Sequence, residues 1–206
     1  MHSETLREPV IGGNVYPKYA SRNPLARVMV RNFLACLDDL VVATGARAVH
    51  EVGCGEGHLL ERFARAGLRI RGTDVCASTI AEARRRLAPL GLAYALDVRD
   101  LHDLQPSRDA AELVVACEVL EHVPDPERAL ARLAELARPH LIVSVPREPL
   151  WRVLNVVRGH YLAALGNTPG HLQHFSTRRL VRLVGRFARV EEVRTPLPWT
   201  MLRCRV

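Results

Sequence analysis

The stretch Val49-His50-Glu51-Val52-Gly53-Cys54-Gly55-Glu56-Gly57 decides the architecture. A short apolar run enters three alternating glycines, and a helical pattern follows at once. Glycine lets the backbone turn with positive φ and approach a ligand closely. A strand that leaves such a turn as a helix opens a βαβ unit, and the turn then lies at the carboxyl edge of the sheet, where ligands bind. The spacing is G-x-G-x-G. A dinucleotide fingerprint would need glycine where His58 stands, and no G-K-[ST] phosphate loop follows. Glu51 narrows the choice further. Its carboxylate, aimed at the loop, repels a pyrophosphate but suits a ligand carrying an ammonium group.

Outward from this loop, apolar periodicity alternates strand and helix. Strands are expected at 48–52, 68–73, 92–96, 113–117 and 140–145, with helices at 59–66, 78–87 and 126–137. A helix at 25–44 precedes them, bounded by Asn23-Pro24 and Gly45. Helices at 151–165 and 177–185 follow, then strands at 190–194 and 200–206 joined by the Pro196–Pro198 turn. Repeated βαβ units ending in a hairpin describe an open, mostly parallel α/β sheet with helices on both faces. Asp74 ends the second strand, where an acidic side chain accepts bonds from both hydroxyls of a ribose. Asp97 and Val98 close the third, placed for the edge and the face of an adenine.

Composition agrees with one domain over 1–206. The chain is 48% hydrophobic and 25% charged, which excludes disordered and collagenous classes. No apolar run is long enough for a membrane span and no signal peptide is read, so a cytoplasmic protein is expected. Cys36, Cys54, Cys76, Cys117 and Cys204 form an odd, scattered set that reads as reduced thiols.

The segments Glu51–Gly57, Gly72-Thr73-Asp74, Leu96-Asp97-Val98 and Cys117-Glu118-Val119-Leu120-Glu121-His122-Val123-Pro124-Asp125 resemble class I S-adenosylmethionine-dependent methyltransferases. Four motifs stand in register at the ends of four successive strands. The resemblance implies a Rossmann-like seven-stranded sheet of order 3-2-1-4-5-7-6 with strand 7 antiparallel. It implies S-adenosylmethionine as cofactor, held by Glu51, Gly53, Cys54, Gly55, Gly57, Asp74, Val75, Asp97, Val98, Cys117 and Glu118. The activity implied is methyl transfer, with O-methylation of a small-molecule, lipid or glycolipid hydroxyl expected. The alternatives are a metal-dependent RNA 2′-O-methyltransferase-like activity and, in a different class, a cofactor-binding protein without transferase activity.

If a helical turn begins after the fourth strand, Glu118, Glu121 and His122 share one face. Two carboxylates and an imidazole suit Mg²⁺, Mn²⁺ or Zn²⁺, with His171 as a further ligand. The arrangement is similar to ubiquinone-biosynthesis O-methyltransferases and to enzymes that 2′-O-methylate small RNAs, but this chain lacks the length for the RNA enzymes' accessory domains. The metal-free reading gives catalysis to His122, His174 and Glu118, with a histidine as base.

Residues 147–175 form an insertion expected to wall the substrate. Trp151, Leu154, Val157, Tyr161 and Leu165 fall at helical spacing, facing either the core or an apolar acceptor. Arg147, Arg152 and Arg158 offer peripheral contact with an anionic membrane. In the arm formed by residues 1–24, Tyr16, Lys18, Tyr19 and Arg22 either close the site or lie on the surface. Net charge is +7, and residues 147–206 hold 11 arginines against three acidic residues. Arg179, Arg182 and Arg186 are expected to share one face opposite Leu180 and Val184. Nucleic acid is nevertheless disfavoured as a partner, because aromatics make up only 5% of the chain. A small-molecule or lipid-like acceptor is preferred, on a monomer or homodimer.

Overall fold

The computed structural model describes residues 23–157 and 170–206. The expectations for Tyr16, Lys18, Tyr19, Arg22, Arg158, Tyr161 and Leu165, and for the Val157 side chain, lie outside the described residues.

Helix α1 (Pro24–Val42) begins where Asn23 Oδ1 accepts the amides of Leu25 at 2.9 Å and Ala26 at 3.3 Å. Its buried stripe of Met29, Phe33, Leu37 and Leu40 turns it onto the sheet. Next come β1 (Ala48–Val52), α2 (His58–Arg65), β2 (Arg69–Asp74), α3 (Ala77–Leu87), β3 (Ala95–Val98) and the short α4 (Pro106–Asp109). Then follow β4 (Ala111–Cys117), α5 (Pro126–Leu136), β5 (Ala137–Pro146), α6 (Leu150–Val157), α7 (Thr177–Val184), β6 (Arg189–Arg194) and β7 (Trp199–Arg205).

The sheet runs β3-β2-β1-β4-β5-β7-β6. The pairs from β3 to β5 are parallel, and β7 is antiparallel to both neighbours. That is the order the resemblance implies. One core layer packs α1, α2 and α3 on the sheet through Phe33, Leu37, Leu60, Phe63 and Ile80. The other packs α5 and α7 on the opposite face through Leu130, Leu133, Leu180 and Val184. Among the described residues, no helix is long and apolar enough to cross a membrane.

Three expectations shift. β3 begins at Ala95 rather than 92, because Gly91 turns left-handed after α3 and leaves Leu92 exposed. β5 extends back to Ala137 despite Pro139, with a register shift between Ala111 and Leu113 absorbing the interruption. The third shift follows β4. Glu118 takes a left-handed φ of 59° and gives its amide to Ser144 O at 2.9 Å. The chain then makes a turn closed by His122 N to Val119 O at 3.0 Å, and α5 starts only at Pro126, capped by Asp125. Glu118, Glu121 and His122 therefore do not share a helical face.

A polar knot braces the sheet. His50, fully buried on β1, bonds the Asp109 carbonyl through Nδ1 at 2.8 Å and Thr73 Oγ1 through Nε2 at 3.0 Å. The buried Asp109 carboxylate accepts from Arg71, Arg99 and Arg108 and from the Gln105 amide. Burial pushes the His50 pKa down to about 4. Burial alone would raise that of Asp109, but the Gln105 amide and the Arg99 and Arg108 guanidiniums hold it at about 2.

Candidate active site

The carboxyl ends of β1 to β4 form one edge. Glu51 is 3% exposed at the end of β1. The loop then turns through three left-handed glycines, Gly53, Gly55 and Gly57. The amides of Gly53 and Cys54 both bond Thr73 O, at 2.7 and 3.0 Å, tying the loop to β2. A Cβ on Gly53 would stand 2.5 Å from Val119, and one on Gly57 2.9 Å from Ala83. Those two glycines are needed for packing. Gly55 differs, because a Cβ there meets nothing within 4 Å. Its backbone faces open space, as a ligand cradle requires.

Asp74 is a strut. One oxygen accepts the Gly55 amide at 2.8 Å, and the other accepts the Cys76 amide at 2.9 Å and the Thr79 hydroxyl at 3.3 Å. It thereby joins the glycine loop to the start of α3. Beside it Val75 is 44% exposed, and Val98, beyond the half-buried Asp97 on β3, is 46% exposed. Cys117 and Glu118 end β4 at the same edge, both half-buried.

The wall beyond Glu118 is aromatic. Trp199 Nε1 donates to the Glu118 carboxylate, and the Trp199 ring meets Phe33 edge-on at 5.0 Å. Trp151 lies 5.8 Å from Trp199 and stacks at 6.4 Å on His171, whose ring meets that of His122 at 5.0 Å. The insertion is docked onto the turn after β4. The Glu121 carbonyl accepts the amides of Leu172 and Gln173 at 2.8 and 3.0 Å, while Gly170 O pairs with His122 Nδ1 at 2.9 Å. Burial, and then the neighbouring His122, push the His171 pKa down to about 4, which leaves that imidazole neutral.

Ligand atoms of Glu121, His122 and His171 all lie within 4.8 Å of one another. Glu118 is drawn toward Trp199 and is not in that group. One carboxylate and two imidazoles, one of them neutral with a lone pair available, fit a borderline divalent ion. His174 is not a member of that group.

Residues 50–140 match the methyltransferase domain family. The ubiquinone biosynthesis O-methyltransferase of Xanthomonas euvesicatoria pv. vesicatoria is 33% identical over 125 residues, covering 59% of this chain and 52% of that protein. The Aeromonas salmonicida protein of the same name is 29% identical over 144 residues, 66% of this chain and 60% of its own. This chain spans about half the length of the curated relatives it matches. Among solved structures, magnesium protoporphyrin IX methyltransferase from Synechocystis PCC 6803 superposes with a TM-score of 0.69 at 20% identity, covering 90% of this chain and 88% of that one. The N-methyltransferase NodS of Bradyrhizobium japonicum gives 0.66 at 18% identity over 86% and 96%.

These matches support reading the chain as a class I S-adenosylmethionine-dependent methyltransferase.

Two residues near this edge escape a reading of the sequence. Trp199 lies between the Pro196–Pro198 turn and the strand expected at 200–206, yet it opens β7, although tryptophan occurs only twice in the chain. Glu148 is the single acidic residue in an arginine-rich segment. On the basic α7, Leu180 and Val184 are buried and Arg179 and Arg182 exposed, as the spacing expects, and Arg186 is exposed in the turn just beyond the helix. Yet Arg179 folds back onto the His174 carbonyl and the Phe175 ring, and Arg186 pairs with Glu127.

Proposed function

We propose that this methyltransferase transfers a methyl group from S-adenosylmethionine to a hydroxyl of a small-molecule or lipid-like acceptor. The observation that carries the reading is the edge itself. A buried carboxylate (Glu51), an open left-handed glycine (Gly55), a loop-bracing carboxylate (Asp74) and two exposed valines meet at the ends of three adjacent strands. Glu51 offers its charge to the ligand's ammonium, and Asp74 its remaining lone pairs to the ribose. Val75 and Val98 cover an adenine ring whose edge meets Asp97. Hydroxyl acceptors are favoured because the matched relatives are named O-methyltransferases of ubiquinone biosynthesis.

When bound, S-adenosylmethionine supplies a methyl on a sulfonium, a group that leaves as a neutral thioether. The chain's own work is to hold the acceptor in line and take its proton. The aromatic wall of Trp199, Trp151 and His171 excludes water and orients an apolar acceptor. His174 is the preferred base, since His122 spends Nδ1 on Gly170 O and adjoins Glu121 and His171. The test is calorimetric titration with S-adenosylhomocysteine, followed by transfer of labelled methyl into extracted small molecules and lipids. Absence of binding overturns the reading.

A second reading rests on the convergence of Glu121, His122 and His171. These residues would hold a divalent ion, which lowers the pKa of an acceptor hydroxyl. Glu118 would then serve the cofactor side.

A further inference from the structure

Beyond β5 the chain makes one isolated parallel bridge, Arg147 to Phe175, with the Glu148 amide bonding Phe175 O at 2.9 Å. Side chains alternate across an extended pair. Phe175 is 1% exposed and belongs to the core under α5 and α7. Glu148 and His174, each one residue off the bridge, therefore leave on the other face. That is the face of Trp199, since Pro146, two residues before Glu148, pairs with Trp199 in the β5–β7 register. Glu148 and His174 are thus brought together on the acceptor side of the sheet edge.

The two residues are held differently. His174 sits on a pinned backbone: its carbonyl accepts from Arg179 at 2.8 Å, the Arg179 guanidinium lies over Phe175, and Ser176 caps α7. Glu148 Oε2 accepts the Arg152 amide at 3.3 Å, while Oε1 is buried and has no hydrogen-bond partner among the described residues. A buried carboxylate oxygen left unpaired is costly, so a donor is expected to turn toward it. Burial raises the Glu148 pKa, opposed by the Arg152 amide and by the charge of His174. The charged and titratable groups facing this pair are His171, Arg152 and Arg179.

We propose that Glu148 is a positioning residue for the transfer reaction, orienting the His174 ring that takes the acceptor's proton. This rests on the methyl-transfer reading above. In the step served, the acceptor O–H bond breaks and its proton passes to His174. The oxygen gains the methyl as the carbon–sulfur bond breaks, and the sulfonium's positive charge is discharged. A carboxylate behind an imidazole selects one tautomer, directing the bare nitrogen outward.

The test is ¹⁵N NMR of the His174 ring in the whole chain, with Glu148→Ala and Glu148→Gln. Wild type is expected to show two widely separated ring-nitrogen signals, one protonated and one bare. In Glu148→Ala the two collapse toward a common shift as tautomers mix, and Glu148→Gln, which keeps an acceptor oxygen, restores the separation. Should Glu148→Ala fail to fold, Glu148→Asp, one methylene shorter, is expected to show the mixed pattern. A ring spectrum identical in wild type and the folded shortened variant overturns the proposal. Calorimetry with S-adenosylhomocysteine on the same wild-type sample judges the methyl-transfer reading separately. Failure there leaves the ring spectrum free to decide the Glu148–His174 couple.

Discussion

Trp199 on β7 donates its indole N–H to the carboxylate of Glu118, the one non-glycine residue with positive φ among those described. Two distant parts of the chain meet there. A side chain held left-handed costs on the order of 1 kcal/mol and persists where its surroundings over-determine it. The Ser144 carbonyl and the Trp199 indole do so here. Trp199→Phe keeps a ring but removes the donor, and is expected to lower unfolding free energy by about 1–3 kcal/mol. Urea denaturation reads this directly, and an unchanged midpoint would show that the indole bond contributes nothing.

Asp74→Ala releases the amides of Gly55 and Cys76. It is therefore expected to lower stability and cofactor affinity together, the affinity by about 1–3 kcal/mol. Gly55→Val fills the open cradle and forces a branched side chain at φ 51°. Calorimetry with S-adenosylhomocysteine should detect no binding to it. Full affinity in either variant contradicts the placement of the cofactor.

Stability should fall with acid in two stages. His50 has a folded pKa of about 4 against an ordinary 6.5. Between those values the unfolded chain binds the extra proton, so stability is whole above 6.5 and declines as pH falls toward 4. The loss is about 3 kcal/mol. Asp109, held at about 2 against 3.8, adds a second loss below 3.8. Thermal unfolding from pH 8 to pH 3 checks this, and a flat profile from 7 to 4.5 would refute the His50 stage.

Chelation separates the two catalytic readings. If Glu121, His122 and His171 hold an ion, chelator stops methyl transfer without affecting S-adenosylhomocysteine binding, and Mn²⁺ or Zn²⁺ restores it. Glu121→Gln should then be as damaging as His171→Ala. Transfer that resists chelator leaves the proton to His174 alone.

Nucleic acid should not bind. With Arg179 and Arg186 engaged within the fold, α7 offers a depleted set of charges to phosphate. Gel retardation with single-stranded RNA at low salt is expected to show no shift, and a steeply salt-dependent complex would reverse this conclusion.

The sheet was legible because each strand carries its own local signal, and the glycine loop compresses a strand, a turn and the cap of a helix into nine residues. The acidic ends of β1, β2 and β3 followed from strand position alone. The turn after β4 was not legible. Helical spacing of Glu118, Glu121 and His122 is a local pattern, and a remote carbonyl on β5 overrides it. The same applies to His50 and Asp109, which are 59 residues apart and meet only when the sheet assembles. Glu148 looks like a stray charge among arginines until a bridge to Phe175 assigns it a face.

That bridge bears on how acceptor choice could change. The chain departs the sheet at Arg147 and returns at Phe175, its two ends are fastened to each other, and the returning end is fastened to Glu121 through Leu172 and Gln173. Closing a longer or shorter loop between fixed anchors changes the entropy only logarithmically with length. Chimeras that exchange the interior of this loop between homologues should therefore keep the cofactor edge intact while altering which molecule is methylated. On the methyl-transfer reading, the cofactor edge and the acceptor wall would thus stand on separately anchored segments.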